Sequence, residues 1–355
     1  MRAIIIVCLT LAAPAPAFAQ SVWSYRARVA AETTSSQASG ASPLTRASTA
    51  GWRTRQLFLA SGDAAWTPSD RVRVGGALAG IASEHGNFDG RVREIYARAS
   101  AASWLDLEAG KRIVRWGVGY GFAPAGVLDP ARVATDPSDR LQLNEGRWLA
   151  RADVYRGDSS LTVAGGEKLA AARLSTIARG GVEVGLIVAA GRDRHPQYAA
   201  TVTHVVGDGF EWHGEALLHD DEGARVVSAA AGFQYTFTAG INLIVEYHRN
   251  GLGMNGTEWN DVLRGRRLPG EQPARENSLF LRAARAGAND KVSPEVIVIT
   301  GLDDNSWTVV PSIAWTAHRH VQMHIRATHL AGARRSIARA APFSTLVTVG
   351  AVLRF

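Results

Sequence analysis

From residue 21 onward the chain alternates apolar and polar side chains in segments of about nine to twelve residues, set apart by Gly, Asp, Asn, Pro and Ser. In residues 21–31, Trp23, Tyr25, Ala27, Val29 and Ala31 share one face of an extended chain, and Ser24, Arg26 and Arg28 share the other. Residues 71–82 set Val72, Val74 and Leu78 against Arg71 and Arg73. Residues 210–218 set Phe210, Trp212, Ala216 and Leu218 against Glu211, His213 and Glu215, and residues 320–329 set Val321, Met323, Ile325 and Ala327 against Gln322, His324, Arg326 and Thr328. A helical period is hard to find, so the pattern predicts an all-β chain.

A soluble β-sandwich also alternates, and the period alone does not choose between the two architectures. Length does. Strands of about ten residues are long for a sandwich but match what a tilted strand needs to cross a bilayer. The polar face carries full charges in strand after strand, which suits a water-filled lumen. Trp23, Tyr25, Trp52, Trp104, Trp148, Tyr198, Trp212, Tyr247, Trp307 and Trp315 fall near predicted strand ends, where the aromatic girdles of a membrane barrel stand.

The last predicted strand, 345–355, puts Val347, Val349, Ala351, Leu353 and Phe355 on one face. In this it resembles Gram-negative outer-membrane β-barrel proteins of the porin kind, whose final strand ends in Phe with apolar residues at alternate preceding positions. The resemblance implies a transmembrane antiparallel up-and-down β-barrel in the outer membrane of a Gram-negative bacterium. It also implies contact with outer-membrane lipid and lipopolysaccharide, and makes Phe355 the signal read by the barrel assembly machinery.

Eighteen strands are predicted: 21–31, 51–61, 71–82, 91–99, 103–116, 147–156, 159–166, 171–178, 182–190, 198–206, 210–219, 226–237, 241–249, 278–286, 295–302, 307–316, 320–330 and 345–355. An even number is what a single-chain bacterial barrel with both ends in the periplasm requires. The segment 159–178 is the least regular and leaves sixteen strands as the alternative. In this register Thr67-Pro68-Ser69-Asp70, Gly207-Asp208-Gly209 and Thr238-Ala239-Gly240 are periplasmic turns. The long connections 32–50, 117–146, 250–277 and 331–344 are all external loops.

Composition removes competing classes. With 46% hydrophobic residues and a net charge of +7 over 355 residues, the chain can build a core or a lipid-facing surface rather than remain disordered. No run of about twenty apolar residues follows the N-terminus, so membrane-spanning helices are not expected. The 39 Lys and Arg are spread along the chain instead of forming a stripe, which argues against nucleic acid as partner. Met1-Arg2, the apolar stretch 3–16 and Ala17-Phe18-Ala19 read as a signal peptide over 1–19, with the barrel filling 20–355 from Gln20. Cys8, the one cysteine, leaves with it, so the mature chain is expected to lack disulfides, thiol catalysis and cysteine-ligated metals.

A barrel of sixteen to eighteen strands is wider than its own side chains can fill. The residues ahead of the first strand are too few for a plug, so a loop is expected to supply the constriction. Residues 117–146 form the third external loop, which in general porins folds inward. Pro124, Pro130 and Pro137 stiffen it, and Asp129, Arg132, Asp136, Asp139, Arg140 and Glu145 bring charges of both signs. The run GKRIVRWGVGYGF at 110–122, followed by Pro124 and Asp129-Pro130, is similar to a strand end in several proteobacterial barrel families and assigns no substrate.

The registers turn Arg26, Arg28, Arg71, Arg73, Arg98, Arg151, Arg173 and Arg326 inward against Glu94, Asp106, Glu108, Asp153, Glu183, Glu211, Glu215 and Glu246, eight of each sign. Arginines on strands one and three would face Glu211, Glu215 and Glu246 on strands eleven and thirteen. Such walls create a transverse field favouring small polar solutes.

The ten His show no supporting carboxylate pattern for a metal, and no catalytic set or cofactor is expected. Gly251–Gly256 matches G-x-G-x-x-G by spacing, but no helix is predicted after it and it reads as a flexible loop entry. The expected function is a pore for passive diffusion of small hydrophilic solutes. The alternatives are a structural or surface-interaction barrel working through its external loops, and an exit pore for an acidic polysaccharide met by Arg264, Arg266, Arg267, Arg334, Arg335 and Arg339.

Overall fold

Each alternating segment pairs with the next one along the chain. The computed structural model describes residues 22–39, 51–192, 194–221, 223–268, 275–285 and 291–355. The expected signal segment 1–19, its cleavage site and Cys8 lie outside the described residues. The strands are β1 (Val22–Ala38), β2 (Trp52–Ser69), β3 (Val72–Ser83), β4 (Phe88–Ala102), β5 (Leu105–Arg112), β6 (Arg147–Arg156), β7 (Ser159–Gly165), β8 (Leu169–Ala178) and β9 (Val182–Gly191). They continue as β10 (Arg194–Val206), β11 (Phe210–Asp221), β12 (Ala224–Thr236), β13 (Ile241–Arg249), β14 (Asn277–Arg285), β15 (Val292–Gly301), β16 (Ser306–His318), β17 (Val321–Gly332) and β18 (Phe343–Arg354). Two short helices, α1 (Gly256–Leu263) and α2 (Ile337–Ala340), lie in the last two long loops.

All neighbours are antiparallel, and β1 pairs with both β2 and β18, so the 18-stranded sheet closes on itself. Closure gives every strand two partners, the condition a spanning sheet must meet where no water can satisfy an open edge. Phe355 completes the seam beyond β18: its N–H donates to the Ala27 carbonyl at 2.9 Å, and Ala27 N–H donates back at 3.2 Å. Residues 159–178 form β7 and β8, which decides for eighteen strands over sixteen.

The outer face is apolar, with Leu174 on β8 opposite Leu186 on β9 and Val188, Ile313, Ile325 and Val349 also exposed. All ten aromatics expected at strand ends are exposed, from 36% for Trp212 to 78% for Tyr25. Trp52, Trp148 and Trp307 open β2, β6 and β16 at the loop end. Trp23, Trp66 and Trp104 sit at the turn end, with Trp23 stacked on Trp66 at 5.8 Å. Two aromatic rows flanking an apolar band are the lipid-facing surface of a membrane barrel. None of the described helices is long and apolar enough to cross a membrane.

Of the boundaries that differ from expectation, three matter to the interior. β1 continues to Ala38, because the polar run from Glu32 pairs fully with β2 and β18. β2 continues to Ser69, leaving Arg71 in the turn that precedes β3 rather than on the strand. β5 ends at Arg112 instead of Trp116. Gly110 holds φ 134°, and a Cβ there would strike the Ile95 carbonyl, so only glycine fits this position two residues before the strand ends. A helix also follows the G-x-G-x-x-G spacing, contrary to expectation. Asn255 caps α1 by accepting from Glu258 N–H at 3.0 Å, and the Glu258 side chain accepts from Asn255 N–H at 2.9 Å.

Candidate functional site

The connection from β5 to β6 runs inside the barrel and meets its inner wall strand after strand. It starts at Ile113, whose N–H donates to Glu94 on β4 at 2.9 Å. Val114 and Trp116 then pack with Ala125 and Leu128 against Leu149 on β6, Ala164 on β7, Ala171 on β8, Ile187 and Ala189 on β9, and Ala199 on β10. Asp129 closes this first lap of the loop by accepting Trp116 N–H at 2.6 Å. Burial pushes its carboxyl above the usual range, opposed by that hydrogen bond and by Arg132.

The segment Gly117-Val118-Gly119-Tyr120-Gly121-Phe122 wraps its backbone around two carboxylates of the wall. Glu215 on β11 accepts from Val118 N–H at 2.5 Å and from Gly119 and Ala125 N–H at 3.3 Å each. Glu246 on β13 accepts from Tyr120 N–H at 2.7 Å and Phe122 N–H at 2.8 Å, and lies 3.2 Å from His213 Nε2. On the other side of the same backbone, Arg132 donates to the carbonyls of Gly117, Gly119 and Tyr120. Hydrogen bonds to an ionised group are roughly twice as strong as neutral ones, so this two-sided clamp holds far more firmly than a solvated loop would. Gly121 is required by close approach, because a Cβ there would lie 2.7 Å from the Phe280 ring. The Tyr120 phenol donates to Glu211 at 3.3 Å, and burial with the Glu211 charge pushes its pKa up to about 12, so it stays a donor. Phe122 stacks on His248 at 4.1 Å.

Past Arg132 the loop continues around the wall. Tyr120, Phe122 and Ala134 cover Ile244, Phe280, Ile297 and Val310 of β13–β16. Arg326 on β17 donates to the Thr135 carbonyl and lies 3.8 Å from Asp136. Arg140 pairs with Glu32 on β1 and lies 3.0 Å from His324 Nε2, while Arg28 donates to the Arg140 carbonyl at 2.7 Å. Leu141 buries against Ala30, Leu59 and Val352. Arg93 on β4 donates to the Asn144 carbonyl at 3.1 Å, and Lys111 reaches Glu145 at 2.6 Å. The loop has then met β6 to β11, β13 to β18, β1, β2, β4 and β5, nearly a full circuit of the interior.

That course relocates the charges expected on the open lumen. Glu215 and Glu246 do face inward, but they lie 5% and 0% exposed under the loop, and Glu211 is partly covered by Tyr120. The acidic wall of the anticipated transverse field is therefore consumed in holding the loop. Arg326, Asp129, Arg132, Asp136, Asp139 and Arg140 are likewise engaged in the loop or its anchors. Asp139, for example, accepts from Leu143 N–H at 2.8 Å and Asn144 N–H at 3.0 Å.

The wall of β1–β5 keeps a polar recess of about 340 Å³ lined by Arg26, Arg73, Arg93, Arg98 and Arg112 against Asp63, Glu94 and Glu108, with Gln142 of the loop. Arg26 pairs with Asp63 at 3.1 Å, and Arg98 with Asp106 at 2.5 Å. Arg112 pairs with Glu94 at 2.7 Å and lies over the Tyr96 ring at 4.1 Å. Glu108 sits buried between Arg112 and Arg151, and Arg151 pairs with Asp153 at 2.9 Å. Arg73, opposite Arg98 in the β3–β4 register, is exposed and has no ion pair among the described residues. Arg93, Arg112, Glu32 and Gln142 were not singled out from the sequence. The first two had a readable sign, since both belong to charged strands whose polar faces turn inward.

The same architecture is found in solved structures. The chain aligns with OccD3 (OpdP) of Pseudomonas aeruginosa at a TM-score of 0.61 and 12% identity, over 94% of this chain and 91% of that one. It has the fold of a porin. The outer membrane protein opdK of the same organism aligns at 0.59 with 10% identity over 94% and 98%, and a mutant Rhodopseudomonas blastica porin at 0.54 with 10% identity over 94% and 100%. No protein-family model matches the sequence, and no curated protein matches it. In this porin fold the last two long external loops are packed on each other: Met254, Trp259 and Val262 meet Ile337 and Ala340, and the Trp259 indole donates to the Arg335 carbonyl at 2.6 Å.

Proposed function

We propose that this chain is an outer-membrane channel for passive diffusion of small hydrophilic solutes, with the loop 113–146 as its constriction. The observation that carries the reading is the course of that loop, which covers most of the inner wall and leaves open the arginine-lined side. The aperture is then bordered by Arg26, Arg73, Arg93, Arg98 and Arg112 against three carboxylates, an excess that favours anionic over cationic solutes. Arg28, Asp106, Glu108, Arg151 and Asp153 continue this lining and its ion pairs.

Planar-bilayer recording of the refolded protein tests the channel: a steady open current supports it, and a permanently closed protein favours a barrel that works through its external loops. Under a salt gradient, Arg73→Gln is expected to move the reversal potential toward the cation value. Arg71→Gln, in the turn, should leave it in place. Equal shifts would remove the recess as the selective region. Export follows from the signal segment, and assembly from the terminal aromatic. Mass spectrometry of the outer-membrane fraction should find a chain beginning at Gln20, and removal of Phe355 should deplete the protein from that fraction.

A further inference from the structure

Over 141–143 the side chains of the loop alternate between wall and recess. Leu141 buries against Ala30, Leu59 and Val352, and Leu143 packs on the same cluster, so Gln142 between them turns the other way and lines the arginine recess. Its backbone is held there at φ 54°, and that of Asp139 at φ 47°, left-handed conformations that are uncommon for residues with a side chain. The Asp139 carboxylate, gripping the N–H groups of Leu143 and Asn144, and the Asp139 carbonyl, accepting from Gln142 N–H at 2.7 Å, over-determine this bend. The side-chain amide so displayed is exposed and has no hydrogen-bond partner among the described residues.

Across the recess the guanidinium groups are unequal. Arg26, Arg98 and Arg112 each hold a carboxylate, and Arg93 holds a loop carbonyl. Arg73 alone among the five is without such a partner, as Gln142 is on the loop side. A free guanidinium takes a carboxylate in a bidentate pair, and a free amide offers both a donor and an acceptor to a neutral polar group. An ammonium group in the same place would stand among arginines and be repelled. A hydroxyl would not.

We infer that Gln142 is the specificity-determining residue of the aperture, forming with Arg73 a two-point subsite for small hydroxycarboxylates. The carboxylate goes to Arg73 and the hydroxyl to Gln142, within a recess whose volume suits a small organic acid. This rests on the reading of the chain as an open channel.

The test is the permeability ratio of glycerate to propionate, read from bi-ionic reversal potentials of the full-length protein in planar bilayers. The wild type is expected to favour glycerate. Q142A should lower the ratio about threefold to tenfold, the range for loss of one hydrogen bond, with chloride conductance as the control for insertion. Q142N keeps the amide, tolerates the left-handed backbone and should retain the preference. Arg73→Gln should depress both anions without changing their ratio. A conducting wild type whose ratio is the same in Q142A overturns the subsite and leaves the channel standing. A wild type that carries no current overturns the channel itself.

Discussion

Replacing Glu215 and Glu246 together by alanine is expected to raise single-channel conductance by about twofold to fivefold, because an unplugged barrel of this width leaves a wide aqueous channel. The two carboxylates accept five backbone N–H groups from the segment 118–125. Without them those donors remain in a site too enclosed for water to replace every bond, at a cost of about 1–3 kcal/mol for each one left unpaired. Release from β11 and β13 is then cheaper than retention, and the loop moves toward the mouth. The Glu→Gln pair keeps an acceptor oxygen on each side chain and should give a smaller increase. Limited trypsin digestion supplies the second readout, since Arg132 and Arg140 are shielded only while the loop is seated. If both conductance and digestion stay at wild-type values, these carboxylates do not hold the loop.

The second large effect lies on the opposite face of the same sheet. Leu186→Arg, outward and midway along β9, is expected to lower unfolding stability in lipid vesicles by about 2–4 kcal/mol, the range for a cation at the midplane on the lipid side of a barrel. The measurement is the urea dependence of folding into vesicles. An unchanged midpoint would place Leu186 outside the hydrocarbon layer.

Much of the barrel can be read from residue order, because a sheet with one wet and one oily face repeats that difference every second residue over its whole length. Even β7 and β8, whose pattern is weakest, lie within a residue or two of the predicted spans. Prediction fails where the pattern loses contrast. Glu32-Thr33-Thr34-Ser35-Ser36-Gln37 is polar on both faces, so the top of β1, and Glu32 with it, reads as loop. Arg71 misses its strand by one position, enough to move it from wall to turn.

The interior is harder for a different reason. Glu215 and Glu246 are identifiable as inward carboxylates, but their partners are backbone N–H groups 90 to 126 residues away. Every residue except proline has such a group, so nothing in the side-chain order marks the ones that will be used. The glycines at 117, 119 and 121 were the available sign, since a backbone that must press against a wall leaves no room for a Cβ. Gln142 carried no sign at all, because its exposure is set by what Leu141 and Leu143 do on either side. The capping pair Asn255 and Glu258, three residues apart, was a sign of α1 that the reading of Gly251–Gly256 as a flexible loop entry passed over.

The circuit of the loop also ties the aperture to the order in which the molecule can be completed. Arg140 needs Glu32 from the first strand and His324 from the seventeenth, Leu141 needs Val352 from the last, and the Thr135 carbonyl waits for an arginine 191 residues further on. No partial set of strands, from either end of the chain, can present all of these anchors at once. A barrel that has not closed its seam therefore lacks a fully anchored constriction, and the completed set of anchors is a record that the last strand has met the first.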